Sequence, residues 1–253
     1  MNVYMLMKTY GLIGYPLSHS FSKKYFTEKF INEGIADHQY ELFPIEDIKA
    51  LPDLLNDNPS LQGLNVTIPH KVNVLCYLNE VDEAADKIGA VNCISIKNFE
   101  GKNYLKGYNT DAYGFESSLS PLLEPQHTKA LVFGDGGAAK AVKYILEKLN
   151  IEYQVVVRKA TEGAILYAEI TPEILASHKL LINTTPLGMS PNVDTFPDID
   201  YSLVGPEHLA YDLVYNPLET AFLVKAAAEG AKTKNGLEML HQQAEKAWAI
   251  WNK

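Results

Sequence analysis

The sequence predicts an α/β fold organised around a doubly wound, Rossmann-like parallel sheet. One observation is the stretch Ala130–Lys140, Ala-Leu-Val-Phe-Gly-Asp-Gly-Gly-Ala-Ala-Lys. A short apolar run breaks into a glycine turn, and a helix pattern follows with Ala141, Val142, Ile145, Leu146 and Leu149 on one face. Gly134 allows the tight turn, Gly136 lets backbone N–H groups approach a pyrophosphate, and Ala139 stands where a third small residue belongs. The helix N-terminus then faces the negative charge. The other observation is the alternation beyond the glycine turn. Val155-Val156-Val157, Leu180-Leu181-Ile182-Asn183 and His208–Val214 read as buried parallel strands, with a helix over Thr220–Glu229 before Lys232-Thr233-Lys234, an edge strand.

The first part of the chain has strands and helices of its own. Lys8–Gly14 reads as a strand that runs into a loop rich in hydroxyls, Ser18-His19-Ser20-Phe21-Ser22. Lys23–Asn32 has helical spacing at Tyr25, Phe26, Phe30 and Ile31, so Ser20 or Ser22 fits a helix N-cap. The same serines could hold a polyhydroxylated ligand. His38–Phe43 reads as a strand and Glu46–Leu55 as a helix. In Gly63–Lys71 the alternation of Leu64, Val66 and Ile68 buries one face of a strand and turns Asn65 and Thr67 to the other. Pro69 ends that strand and starts a helix reaching Leu78. Lys71 falls in its first turn, where the dipole disfavours a cation; it is either a solvated side chain or one placed for chemistry. His70 reads as a surface or capping residue. Val81–Ile88 predicts a short helix. Cys93–Ile96 and Tyr104–Tyr108 read as paired strands around Asn98–Gly101, and Thr110 or Asp111 caps the next helix. A last helix is expected over Leu237–Trp251.

Composition narrows the partners. The chain has 253 residues, 47% of them hydrophobic, enough to fill one or two cores. Its net charge of -9 argues against nucleic acid or an anionic membrane as the main partner. No apolar run is long enough for a membrane span, and Met1–Tyr10 lacks the pattern of a secretory leader. A cytoplasmic location is expected. Cys76 and Cys93 are too few for a disulfide framework or a metal site, and both read as small apolar residues.

Seven separated segments then resemble one family. Ser20-Phe21-Ser22, Asn65–Lys71, Gly89–Asn92 and Asn109-Thr110-Asp111 stand in the order and spacing of the shikimate dehydrogenases. Gly134–Ala138, Tyr215-Asn216-Pro217 and Gly236–Leu240 extend the resemblance over nearly the whole chain. It implies two domains with a cleft between them. Residues 1–107 plus 236–253 would form an open α/β substrate-binding and catalytic domain, and 108–235 the NADP-binding domain. The implied reaction is reversible hydride transfer between NADP(H) and the ring carbon bearing the C3 oxygen of shikimate and 3-dehydroshikimate. By motif, Ser20 and Ser22 would bind the substrate carboxylate. Asn65, Thr67, Asn92 and Asp111, with Tyr215 and Gln243, would hold the ring hydroxyls. Lys71 and Asp111 would be the catalytic pair; Gly134, Gly136, Gly137, Ala138, Thr184 and Gly236 would line the cofactor. The protein would be a monomer or a homodimer.

The chemistry gives that pair a reason of its own. Oxidising a secondary alcohol removes a hydroxyl proton as hydride leaves, and reduction returns it. A lysine and a carboxylate flanking one hydroxyl can exchange that proton without a metal. Arg158 and Lys159 follow the second nucleotide-domain strand, where Asp or Glu would select NAD and a cation favours the 2′-phosphate of NADP. The family often has Asn-Arg-Thr where Val157-Arg158-Lys159 stands, and commonly proline at Lys23. Asp135 in the glycine turn would repel a pyrophosphate unless it points away. Three other readings are a quinate/shikimate dehydrogenase using NAD or NADP, a non-catalytic NADP or metabolite sensor on the same scaffold, and a related folate dehydrogenase. Intact Lys71 and Asp111 oppose the sensor, and the paired serines oppose the folate enzyme.

Overall fold

A computed structural model of the chain describes residues 7–17 and 20–253. The expected polar contributions of Ser18 and His19 lie outside the described residues, as does most of the N-terminal segment. The chain divides into two compact units, one of the residues up to Thr110 with Ala244–Lys253, the other Asp111–Gln243.

The first unit holds a mixed sheet of β1 (Lys8–Gly14), β2 (His38–Pro44), β3 (Leu61–Val66), β4 (Glu80–Val81), β5 (Cys93–Phe99) and β6 (Lys102–Tyr108). Their order is β2-β1-β3-β5-β6-β4, with β2 and β3 parallel to β1 and the β3–β5 and β5–β6 pairs antiparallel. Helices α1 (Phe21–Asn32), α2 (Leu51–Asp57), α3 (His70–Asn73) and α4 (Glu83–Ile88) supply the crossings. Ile13, Leu51, Leu64, Val66, Val74 and Val91 fill one core on this sheet, and Tyr10, Phe26, Phe30 and Tyr40 fill another. Burying each such side chain stabilises the fold by roughly 1.5–3 kcal/mol. Trp251 closes the second core, and a Cβ at Gly63 would stand 2.2 Å from its Nε1. Only glycine permits that approach, which lets Trp251 donate to Ile94 O at 2.9 Å.

The second unit is a fully parallel sheet of β7 (Lys129–Phe133), β8 (Glu152–Val157), β9 (Ala164–Leu166), β10 (Leu180–Asn183), β11 (Leu209–Asp212) and β12 (Lys232–Lys234), in the order β12-β11-β10-β7-β8-β9. This is the 3-2-1-4-5-6 order of a dinucleotide-binding sheet, whose chain reverses direction across the sheet between β7 and β10. Helices α5 (Thr110–Leu119), α6 (Gly137–Lys148), α7 (Pro172–Ser177) and α8 (Ala221–Ala228) accompany it. Helix α6 buries Ala139, Ala141, Val142, Ile145 and Leu146, while Leu149, also expected on that face, is its half-buried C-cap.

Several expectations are corrected. Strand β3 ends at Val66, so Ile68 does not continue its buried face and is 73% exposed. Instead His70 N donates to Thr67 O, turning the chain out of the sheet. Val81 belongs to β4, paired parallel to β6, and α4 starts only after the Asp82 cap accepts from Ala85 N. The helix expected from Glu46 begins as a 3-10 turn at Ile48, capped by Asp47. His70 is buried, its Nε2 2.8 Å from Ile45 O, and Cys76 is exposed. Helix α9 (Leu237–Trp251) gives Leu237–Gln243 to the second unit and Ala244–Trp251 to the first. Its early turns pack on α5, where a Cβ on Gly114 would lie 2.4 Å from Met239 O.

Candidate active site

The polar residues of the first unit are joined at the carboxyl ends of its central strands. Asn65, 5% exposed near the end of β3, donates through Nδ2 to Asn92 O at 3.3 Å. Val66 N donates to the same carbonyl at 2.9 Å. Asn92 in turn uses its side chain on Thr110. Its Oδ1 accepts from Thr110 N at 2.6 Å, and its Nδ2 donates to Thr110 Oγ1 at 3.0 Å. Asn109 Nδ2 donates to Ala90 O at 2.9 Å, so both ends of the Ala90–Asn92 turn are held. Lys71 reaches the same turn through its backbone, its carbonyl accepting from Val91 N at 2.8 Å. Residues 65, 71, 92 and 110, from four stretches of sequence, therefore share one hydrogen-bonded cluster. Asp111 follows Thr110 in the first turn of α5, where the helix dipole favours a carboxylate.

Lys71 is half-buried in α3, which is a single turn followed by the 3-10 turn Val74–Tyr77. The dipole opposing its charge is therefore short. Thr67 is half-buried beside Gly14, where a Cβ would lie 2.4 Å from Thr67 Cγ2. The glycine ending β1 is what lets this threonine come close. Ser20 sits at the N-cap position of α1, yet its hydroxyl makes no capping bond. Its Oγ is buried with no hydrogen-bond partner among the described residues. A buried donor left without an acceptor is costly in a helix that needs a cap, so this serine is not spent on the helix. Ser22 is half-buried in the first turn of α1.

Tyr40 is a polar residue of this region that sequence reasoning missed. Its phenol donates to Asn65 Oδ1 at 2.7 Å, and the side chain of Ser22 lies near the phenol. Burial pushes this phenol well above the ordinary tyrosine range, with the Ser22 contact acting the other way. In the sequence it reads only as one more aromatic on a strand.

In the second unit, β7 ends just before Gly134, whose φ of 98° and close approach to Thr185 both require glycine. Thr184 Oγ1 donates to Phe133 O at 2.8 Å, locking the turn after β10 against the end of β7. Gly136 caps α6, and a Cβ on Gly136 or Gly137 would meet no atom within 4 Å. Ala138 is half-buried in the first turn of that helix, with Ala139 fully buried behind it. The N-terminal amides of a 12-residue helix thus face open space, a shape that suits a pyrophosphate. Asp135 is paired with Lys143 at 2.5 Å, which answers the charge conflict its place in the turn raised. Arg158 and Lys159 follow β8, are exposed, and form no ion pair among the described residues. These residues fit an NADP molecule: amides for the pyrophosphate and unpaired cations for the 2′-phosphate.

Asp212, fully buried at the end of β11, was also not singled out by sequence. Its carboxylate accepts from Asn183 Nδ2 at 2.9 Å, Val214 N at 3.0 Å and Thr220 Oγ1 at 2.6 Å. Desolvation lifts its carboxyl to about 6 despite three donors, which pull the other way. Asn183 Oδ1 passes the constraint on, accepting from Thr185 N at 3.0 Å. Tyr215 follows in the next loop, its phenol raised by burial. Gly236 packs so closely that a Cβ would lie 2.1 Å from Leu213 O, and Gln243 donates to Leu240 O at 3.0 Å. No cluster of metal-binding side chains and no helix long and apolar enough to cross a membrane occur among the described residues.

Comparison with known proteins gives this arrangement its relatives. Residues 12–94 match the shikimate dehydrogenase substrate binding domain. A shikimate dehydrogenase (NADP(+)) of Caldanaerobacter subterraneus subsp. tengcongensis is 36% identical over 269 residues, covering 96% of this chain and 91% of the relative. The chain belongs to the shikimate dehydrogenase family. Among solved members, the shikimate 5-dehydrogenase of Thermus thermophilus, in complex with NADP(H) and shikimate, is similar at a TM-score of 0.83 and 32% identity over 97% of this chain and 93% of that one. A chorismate mutase/shikimate 5-dehydrogenase fusion protein from Clostridium acetobutylicum gives 0.83 and 38% identity, over 97% and 91%. The α/β fold with its Rossmann-like second sheet is therefore that of the shikimate dehydrogenase family.

Proposed function

We propose that this chain is an NADP-dependent shikimate dehydrogenase of aromatic biosynthesis, reducing 3-dehydroshikimate to shikimate and running the reverse oxidation. The observation that carries the reading is the cluster joining Asn65, Lys71, Asn92 and Thr110, which gathers the motif residues of four stretches. Relatives named for this activity, identical at about a third of positions over nearly the whole chain, support it.

Ser20 and Ser22 bind the substrate carboxylate, Ser20 through the hydroxyl it does not use for capping. Asn65, Thr67, Asn92, Tyr215 and Gln243 hold the ring oxygens, and Lys71 and Asp111 flank the oxygen that reacts. In the reductive direction Lys71 gives that oxygen a proton as the carbonyl carbon is reduced. In the oxidative direction it takes the proton back. Asp111 orients the lysine and the hydroxyl. Bound NADP supplies or accepts the hydride. The α6 N-terminus with Gly134, Gly136, Gly137 and Ala138 holds its pyrophosphate, Arg158 and Lys159 its 2′-phosphate, and Thr184 and Gly236 line its nicotinamide end.

The test is the absorbance of reduced cofactor when shikimate or quinate is added with NADP or NAD. Shikimate with NADP is expected to turn over fastest. A clear preference for quinate with NAD would reject the assignment, and tight binding without turnover would indicate a sensor.

A further inference from the structure

The hydroxyl of Tyr40 is costly where it stands. The ring stacks on Phe26 at 4.7 Å and an interplanar angle of 12°, inside a cluster of Tyr10, Phe30 and Trp251, and the residue is 2% exposed. Phenylalanine would fill the same space without burying a polar group. The hydroxyl therefore has to be explained by its partner, Asn65.

An asparagine amide can sit in two orientations that exchange oxygen and nitrogen, and hydrogen bonding selects between them. Asn92 O lies 3.3 Å from the Asn65 amide nitrogen, and a carbonyl can only accept. That contact puts the NH2 group on the Asn92 side and the oxygen on the Tyr40 side. The phenol must then donate to Asn65 Oδ1, as its 2.7 Å contact records. The protons thus run one way, from Tyr40 to Asn65 to the Asn92 carbonyl. With its oxygen held and one amide hydrogen on Asn92, Asn65 has one hydrogen left to offer a ligand.

We infer that Tyr40 is a positioning residue for substrate recognition, fixing the Asn65 amide as a donor toward an acceptor oxygen of the substrate ring. The inference rests on the function proposed above. Tyr40 touches no reacting atom; it acts through Asn65, on binding more than on the chemical step.

The experiment compares Tyr40→Phe, Asn65→Ala and the double variant with the parent enzyme, all well below their unfolding midpoints. Tyr40→Phe keeps the ring and its packing. It is expected to raise KM for shikimate about tenfold, the usual scale of one buried hydrogen bond, with KM for NADP unchanged and kcat altered less than KM. In the Asn65→Ala background the same change should add little, since the amide it orients is gone. An unchanged shikimate KM in Tyr40→Phe, or equal effects with and without Asn65, would overturn the inference while leaving the function standing. A parent without shikimate turnover would overturn both.

Discussion

Asn92 Oδ1 accepts the backbone N–H of Thr110 at 2.6 Å, and Thr110 is the residue before Asp111. One asparagine between α4 and β5 therefore sets the start of α5, and with it the place of the carboxylate proposed to orient Lys71. Asn92→Ala leaves a buried N–H without its acceptor, which costs about 1–3 kcal/mol. We expect a lower Tm and a loss of turnover larger than any effect on NADP binding. Thermal unfolding and steady-state kinetics check both; unchanged kcat would separate Asn92 from the site.

Lys71→Ala should lower kcat by roughly 100- to 10,000-fold, the range contributed by a positioned acid or base. KM for shikimate should change far less, because the serines and asparagines proposed to bind the substrate stay in place. The half-buried lysine is held in the cluster through its backbone, which alanine preserves. Comparable turnover in variant and parent would remove Lys71 from the mechanism.

Arg158→Ala should raise KM for NADP roughly tenfold to a hundredfold, the value of a charge-assisted hydrogen bond of about 1.5–3 kcal/mol. NAD lacks the 2′-phosphate, so its KM should move little. Arg158 is exposed and forms no ion pair among the described residues, so removing it costs the fold almost nothing. Equal losses with both cofactors would argue against phosphate recognition.

Ser20→Ala separates capping from binding. Its hydroxyl makes no cap and has no partner among the described residues, so the alanine variant should keep or slightly raise Tm. KM for shikimate should rise about tenfold for the lost carboxylate contact. A fall in Tm with unchanged KM would return the serine to a structural role.

The parallel sheet was legible because its strands are continuous apolar runs broken by glycine or polar turns, as at Phe133-Gly134 and Asn183-Thr184. Two of the short elements were not. Strand β9 has three residues, too few for a period to show, and β4 has two. Ile68 misled because alternation in sequence persists past the point where the backbone leaves the sheet. The motif residues were legible as polar breaks at strand ends. Tyr40 and Asp212 were not, because what distinguishes them is a partner 25 or 29 residues away in the chain. Periodicity reports which face is buried, and it carries no information on which buried polar groups meet.

Asp212 gives the fold a pH dependence of predictable sign. Its carboxyl is raised from 3.8 to about 6 by desolvation. Below about pH 4 folded and unfolded chains both hold the proton. Between 3.8 and about 6 only the folded chain holds it, so this group's contribution to stability falls as pH rises through that window. At about 1.4 kcal/mol per decade the full change is about 3 kcal/mol. His127 and His208 act oppositely, since burial lowers both and acid favours the unfolded chain. The difference between parent and Asp212→Asn isolates the carboxyl. Asparagine cannot ionise, so urea midpoints measured from about pH 4 to about pH 7 should show the variant gaining on the parent as pH rises. The variant also turns an NH2 group toward Asn183 or Thr220, which should lower its stability at the acid end. A constant offset across the range would mean that Asp212 ionises in the folded protein as it does in the unfolded chain.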